Sequence, residues 1–264
     1  MAKNLRKIRH MQVDLVSDLH MEHWEKNYDF LKYKKSNLLI VAGDVATDPE
    51  LTSEWLTIVA AEYKQVLFVC GNHEHTKLNF DLDKSYETND KLFTIMPNVH
   101  LLHKFPYIQS GTAFVGCNGW WDYRLGEPHV SRDATYEYFK PKWGDKSLQR
   151  TLVQGGKDYT YIMDHCSELN SMDQIKNIVV ITHTIPHLRG VDWIHGSENL
   201  NVGCFGNKKM EQIPVYFPKV THWLFGHNHN PHDFVIHNTH YISHPKGRPG
   251  DTHFELYKPR TIIV

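Results

Sequence analysis

Eight residues in this sequence carry side chains that bind metals or move protons, and each stands just past a short apolar run: Asp18, His20, Asp44, Asn72, His73, His183, His227 and His229. They offer carboxylate, amide and imidazole donors. Mixed nitrogen and oxygen donors suit manganese, iron or zinc better than calcium, which prefers oxygen alone, or metals selected by thiolates. The set without His73 holds too many ligands for one tetrahedral zinc. Two ions sharing one carboxylate would use them all, and ions about 3.5–4 Å apart form a clamp for displacement at phosphorus. Asp44 is the natural bridge. Asp18-Leu19-His20 and His227-Asn228-His229 each put two side chains on one side of an extended backbone, because residues i and i+2 point together.

The elements that must position these residues are short strands. Met11 to Ser17 reads as a first strand, Leu38-Leu39-Ile40-Val41-Ala42 as a strand buried on both faces, and Val66-Leu67-Phe68-Val69-Cys70 as a third. Asp18 and Asp44 are 26 residues apart and Asp44 and Asn72 are 28 apart, a spacing that suits βαβ units. Ile178 to Ile181 leads in the same way to His183, and Trp223 to Phe225 to His227. Ligands of open α/β sheets bind at the carboxyl ends of strands. A helix is expected from Thr52 or Ser53, with Trp55, Leu56, Val59 and Tyr63 along its core face. The stretch from Trp120 to Met172 differs in texture: it is rich in aromatics and charges, and a Gly155-Gly156 pair reads as a break before a helix from Lys157 to Leu169. Antiparallel strands are expected at His232–His237, His240–Ser243, His253–Tyr257 and Thr261–Val264.

Five short motifs occur in order at these strand ends: DLH at Asp18 to His20, GD at Gly43 and Asp44, GNHE at Gly71 to Glu74, TH at Thr182 and His183, and GHNH at Gly226 to His229. In this the chain resembles the calcineurin-like metallophosphoesterase family. The resemblance implies an α/β fold, a four-layer sandwich of two mixed β-sheets flanked by α-helices. It would occupy residues 1–264 as a single domain with an aromatic-rich insert at about 120–172. It also implies one metal held by Asp18, His20, Asp44 and His229 and another by Asp44, Asn72, His183 and His227. His73 is then the residue that stabilises the transition state or protonates the leaving oxygen, so His73 and Asp44 are the catalytic candidates.

The chain departs from the Ser/Thr protein phosphatases of that family. Met21 rather than Gly follows DLH, GDVATD lacks their arginine, and GHNH ends in two histidines. Trp120-Trp121-Asp122 and PKGRPG from Pro245 look more like small bacterial-type phosphoesterases. The expected function is hydrolysis of a small or nucleotide-like phosphodiester by a metal-activated hydroxide. It would use two divalent ions, manganese first, with iron or zinc as alternatives. The rival readings are a phosphomonoesterase, a nuclease of the DNA repair type, and a metal-bound scaffold or binding module.

Composition narrows the rivals. At 41% hydrophobic and 22% charged residues, the 264-residue chain is not intrinsically disordered. Its 29 basic and 30 acidic side chains leave a net charge of −1, so no global field draws it to nucleic acid or anionic lipid. Nucleic acid is therefore a disfavoured partner and a small phosphoester the favoured one, with no protein partner indicated. The basic start lacks the apolar stretch of a signal peptide, and no later run is long enough to span a bilayer, so a cytoplasmic protein without membrane contact is expected. Four well-separated cysteines, Cys70, Cys117, Cys166 and Cys204, read as buried thiols.

Other residues have plainer expectations. His75, His187 and His195 lie within reach of the motifs in sequence, His187 being the best substrate contact because it follows a ligand by four residues; solvated or core roles are the simpler readings. Arg248 after the Pro-Lys-Gly turn is a second substrate-binding candidate, through a phosphate oxygen, against the plain role of a surface arginine. Asp48 reads equally as a support for Asp44 or as a turn residue. The aromatics from Trp120 to Trp143 read first as core, and otherwise as a surface to stack a base or line a leaving-group pocket.

Overall fold

A computed structural model describes residues 11–24, 29–192, 200–251 and 256–264. Strand β2 (Leu38–Ala42) shows why the architecture needs four layers. Its side chains are apolar without interruption, but they alternate in destination: Leu39 and Val41 pack under helices, while Leu38, Ile40 and Ala42 pack against a second sheet. A strand buried on both faces must lie inside a stack, and here the stack is helix, sheet, sheet, helix.

The first sheet contains β1 (Gln12–Val16), β2, β3 (Gln65–Val69), β4 (Val99–Leu101) and β11 (Arg260–Ile263) in the order β11-β1-β2-β3-β4. Strands β1 to β4 run parallel, with Val16 beside Val41 and Val41 beside Phe68, and β11 is antiparallel to β1. The second sheet has the order β5-β6-β7-β8-β10-β9. Its members are β5 (Tyr107–Gln109), β6 (Thr112–Cys117), β7 (Asn177–Thr182), β8 (Val220–Phe225), β9 (His232–Ile236) and β10 (Thr239–Ser243). The four inner strands are parallel and the two edges antiparallel. Between the sheets, Val13, Leu15, Leu67 and Val69 meet Phe114, Val179, Ile181 and Leu224. Helices α1 (Pro49–Glu62) and α3 (Leu82–Phe93) cover the first sheet through Trp55, Leu56, Val59 and Phe93. A short helix α2 (His73–Thr76) follows β3 directly.

Three local expectations are corrected. Helix α1 starts at Pro49, not at Thr52 or Ser53, because the Asp48 side chain accepts the Glu50 amide at 3.0 Å as its cap. The insert is mostly one helical run, α4 (Arg132–Ser171), bent at Gly144 where φ is 74°. Gly155-Gly156 does not break it; a Cβ on Gly155 would strike the Trp120 carbonyl, so that glycine serves close packing. Beyond the bend, Ile162, Cys166 and Leu169 cover the second sheet. Finally, β9 and β10 form an antiparallel pair as expected, but β10 also joins β8 in parallel and β11 crosses to the other sheet. Of the proposed strand at His253–Tyr257, residues 253–255 lie outside the described residues, and Leu256 and Tyr257 are not in a strand. Strand β6, an inner strand of the second sheet, has no counterpart in the sequence reading, although its TAFVGC run after Gly111 is wholly buried.

All four cysteines are buried and free. No helix among the described residues is long and apolar enough to cross a membrane.

Candidate metal centre

Five parallel strands end beside one another, and the turn after each carries part of the centre: Asp18 and His20 follow β1, Asp44 follows β2, Asn72 and His73 follow β3, His183 follows β7, and His227 and His229 follow β8. Five of these residues have left-handed backbones, Asp18 at φ 50°, His20 at 44°, Asp44 at 55°, His227 at 82° and His229 at 57°, so the pairs Asp18/His20 and His227/His229 are brought together by turns and not by the extended backbone expected. Each such conformation costs about 1–3 kcal/mol in a non-glycine residue, and such strain clusters at functional sites. Gly43 and Gly71 let the backbone approach the centre closely. A Cβ on Gly43 would come 2.5 Å from His183 Nδ1, and one on Gly71 would collide with the Asp44 carboxylate.

The seven metal-ligand candidates converge. His20 Nε2 and His229 Nε2 are 2.8 Å apart, His229 Nε2 is 3.8 Å from Asp18 Oδ1, and His20 Nε2 is 3.9 Å from Asp44 Oδ2. At the other end, His183 Nε2 lies 3.2 Å from Asp44 Oδ2 and 3.1 Å from Asn72 Oδ1. His227 Nδ1 lies 2.9 Å from the same Asn72 oxygen and 3.2 Å from His183 Nε2. Two triads, Asp18–His20–His229 and Asp18–Asp44–His183, keep their donor atoms within 4.8 Å of one another. Asp18, His20, Asp44 and His183 are buried.

The far nitrogens of the imidazoles test whether this set fits cations. His183 Nδ1 donates to the Ala42 carbonyl at 2.9 Å, His227 Nε2 to the Cys204 carbonyl at 3.2 Å, and His229 Nδ1 to Asp251 Oδ2 at 2.7 Å. An acceptor on the outer nitrogen makes the inner nitrogen the one that gives up its proton to a cation, and all three inner nitrogens face the carboxylates and the Asn72 amide. His20 Nδ1 faces Glu22 Oε1 at 3.9 Å. The residues present therefore fit two divalent cations, with Asp44 between the two ends. Without a cation a proton on His183 takes its place beside Asp44: burial would raise Asp44, but His183, His73 and His20 outweigh it and hold the carboxyl well below its usual range. Burial would lower His183, but Asp44 and Asp18 raise it to about 9, whereas burial takes His227 down to about 3.

His73 sits at the rim. Its Nδ1 is 3.0 Å from Thr47 Oγ1 and its Nε2 is 3.0 Å from Arg248 Nη2. Burial, with His20 and Arg248, keeps it below the ordinary imidazole value despite Asp44. The structure thus brings Arg248 to the cluster rather than leaving it on the surface. It does not bring His187 there: that residue caps a short 3-10 turn, accepts the Arg189 amide at 3.0 Å and packs beside Tyr241. His75 is buried against Ser85, Asp48 pairs with Lys77, and His195 lies outside the described residues.

Three residues with no assigned role support the centre. Glu74 is buried, and its carboxylate accepts the amides of Gly71 at 2.6 Å, Val45 at 2.7 Å, Asp44 at 3.1 Å and Ala46 at 3.3 Å, so it holds the β2 and β3 turns together. Burial and the Asp44 charge raise it to about 7. Its place in GNHE was the available signal. Glu22 accepts the Thr47 hydroxyl at 2.7 Å and stands 3.9 Å from both His20 Nδ1 and His73 Nδ1. Burial would raise Glu22, but His20 and Thr47 hold it at about 2. Asp251, 22 residues from His229, left no local signal.

The aromatic insert reaches the same place. Trp121 lies 5.9 Å, ring to ring, from His227, and a cavity of about 200 Å3 opens between Asn72, His227 and the insert.

A model of the calcineurin-like phosphoesterase family matches residues 11–231. No protein of curated function matches the chain. Among solved structures, phosphopantetheinyl hydrolase (PptH) from Mycobacterium tuberculosis is similar with a TM-score of 0.75 and 19% identity, covering 96% of each chain. A dimetal phosphatase from Danio rerio is similar with a TM-score of 0.47 and 14% identity, covering 88% of this chain and 86% of its own.

Proposed function

The chain belongs to the calcineurin-like phosphoesterase family, and from that premise we propose that it is a two-metal phosphodiesterase acting on a small or nucleotide-like ester. The observation that carries this reading is the orientation of the imidazoles: His183, His227 and His229 each have an acceptor on the outer nitrogen and turn the inner one to Asp18, Asp44 or Asn72. Asp18, His20, Asp44 and His229 would hold one ion, and Asp44, Asn72, His183 and His227 the other; manganese, iron and zinc suit these donors. Such a pair, when bound, polarises the phosphoryl group and supplies a nucleophile at neutral pH.

The chain's own residues do the rest. Arg248 offers donors beside His73 Nε2, so a phosphoryl oxygen is held at that edge by charge-assisted hydrogen bonds. His73, its ring fixed from behind by Thr47 and Glu22, accepts from Arg248 at Nε2; when Arg248 turns to the phosphoryl group, Nε2 is free to take a proton from solvent and pass it to the departing oxygen. One guanidinium at the His20–His229 end and a cavity at the His183–His227 end accommodate a singly charged ester with two arms, which favours a diester. The solved structure named phosphopantetheinyl hydrolase adds phosphopantetheinyl esters to the substrates worth testing.

The test is hydrolysis of matched aryl phosphodiester and phosphomonoester substrates, with a phosphopantetheinyl ester beside them. Chelator-stripped protein is titrated with manganese, zinc, magnesium and iron. Diester turnover restored over two metal equivalents is expected. A preference for monoesters overturns the diester reading, and a steep salt dependence of binding to DNA would move it to a nuclease. Metal uptake without cleavage of any ester supports a scaffold instead.

A further inference from the structure

Beyond Asn72 and His227, the cavity beside the metal centre is walled by aromatic residues whose kind the hydrolytic reading does not explain. Phe139 and Trp143, one helical turn apart on the first arm of α4, share a face and stack at 4.3 Å with planes 23° apart. Trp121 continues the stack, 5.7 Å from Trp143 at 27°. Phe80 stands across from Trp143 at 5.9 Å, and Phe205 meets His227 edge-on at 5.9 Å. The space these rings enclose with Asn72 and His227 is about 200 Å3, below the roughly 300–1,000 Å3 of pockets that engulf a whole drug-sized ligand. It takes one arm of a substrate.

The form of that arm follows from the walls. Trp121 is buried, whereas Trp143 and Phe80 remain partly exposed at the opening. The bend at Gly144 lets one helical run serve two tasks, as its second arm packs on the sheet while the first holds Phe139 and Trp143 toward Asn72 and His227. The stacked rings cover one another's faces and turn their edges to the cavity, where Phe80, tilted 46° from Trp143, forms the opposite wall; ring edges favour the face of another flat ring over a branched or puckered chain of equal size. Two metal-ligand candidates form the cavity's inner edge, so the ring must lie within a few bonds of phosphorus.

We infer that this cavity is a specificity pocket for a planar aromatic arm of the ester, an aryl group or a nucleobase, with Trp143 and Phe80 as its selecting residues. The inference rests on the phosphoesterase reading and adds the class of substrate. Recognition is by edge-to-face aromatic packing, with no demand on the ring's hydrogen-bonding edge.

The test uses the full chain loaded with manganese and three probes of equal charge: benzylphosphonate, cyclohexylmethylphosphonate and methylphosphonate. Each is measured by calorimetry and as a competitive inhibitor of diester turnover. The expected order is benzyl about tenfold or more tighter than methyl, with cyclohexylmethyl at least about threefold weaker than benzyl. Trp143→Ala and Phe80→Ala should each bring the benzyl-to-methyl ratio to about twofold or less. Both side chains are partly exposed, and the ratio within one protein sample is insensitive to the folded fraction. Equal binding of benzyl- and methylphosphonate by the wild type, or a benzyl preference that survives in both variants, overturns the pocket while the phosphoesterase reading stands. Failure of all three probes to bind, together with no ester turnover, overturns the phosphoesterase reading and the pocket with it.

Discussion

His229 Nδ1 stands 2.7 Å from Asp251 Oδ2, so a carboxylate behind the imidazole turns His229 Nε2 toward His20 and Asp18. The same Asp251 oxygen accepts the Arg248 amide at 3.3 Å. Carboxylates that orient metal-binding histidines are typically worth 10–100-fold in metal affinity. Asp251→Ala should therefore weaken one of two metal-binding steps by about that factor and leave the other unchanged. Calorimetric metal titration reads both, and an unaltered isotherm would count against the pairing.

Asp44 stands between the two ends of the cluster, 3.2 Å from His183 and 3.9 Å from His20. Asp44→Asn removes the anionic donor that both ions would share. Elemental analysis should find one bound ion or fewer, and metal-dependent turnover should fall below detection with the far-ultraviolet circular dichroism unchanged. A variant that keeps two ions and full activity would remove Asp44 from the centre.

For His73→Ala the two ions should remain, because His73 lies outside the ligand set. A lost proton donor costs about 10²–10⁴-fold in rate, and the loss should grow as the leaving group becomes more basic. The measurement is the slope of log kcat against leaving-group pKa in an aryl ester series. An unchanged slope would assign His73 to positioning alone.

Glu74 accepts four backbone amides with one buried carboxylate. Glu74→Ala strands those donors, and an unsatisfied buried group costs about 1–3 kcal/mol, so a loss of about 3 kcal/mol or more is expected in urea unfolding. Glu74→Gln keeps an acceptor oxygen but turns an NH2 toward amide donors, and should fall between wild type and Ala. Equal stability of all three would show that the turn holds itself.

Acid should destabilise the protein through histidines outside the centre. Burial lowers His222 and His244 to about 4 each, from an ordinary value of 6.5. The unfolded chain therefore binds protons that the folded chain refuses between those values, and the stability contributed is complete above about pH 6.5 and lost as pH falls toward 4. The melting temperature in chelator should decline across that window. In His222→Asn/His244→Gln the decline should be shallower than in the wild type, and parallel curves would assign the acid sensitivity elsewhere.

Much of the fold is legible in local patterns. The uninterrupted apolar runs at Leu38–Ala42 and Val66–Cys70 announce strands covered on both faces, and the residues just past them are among those that meet at the centre. Strand β6 was harder to see because its place between β5 and β7 depends on pairings across the insert. The extent of α4 was obscured because Gly144, Gly155 and Gly156 look alike in sequence. Only the first bends the chain, and what separates them is the backbone each one meets.

The sequence by itself determined the donor types, their order and their delivery to the carboxyl ends of strands, because hydrophobic periodicity and spacing are local properties of the chain. Tertiary structure decided which nitrogen of each imidazole faces inward, through Ala42, Cys204 and Asp251; that Arg248 meets His73 across 175 residues of chain; that His187 stays away; and that the aromatic insert encloses a cavity as well as a core. Those outcomes depend on turns with positive φ and on hydrogen-bond partners brought together only by packing two sheets, and neither leaves a periodic trace along the chain.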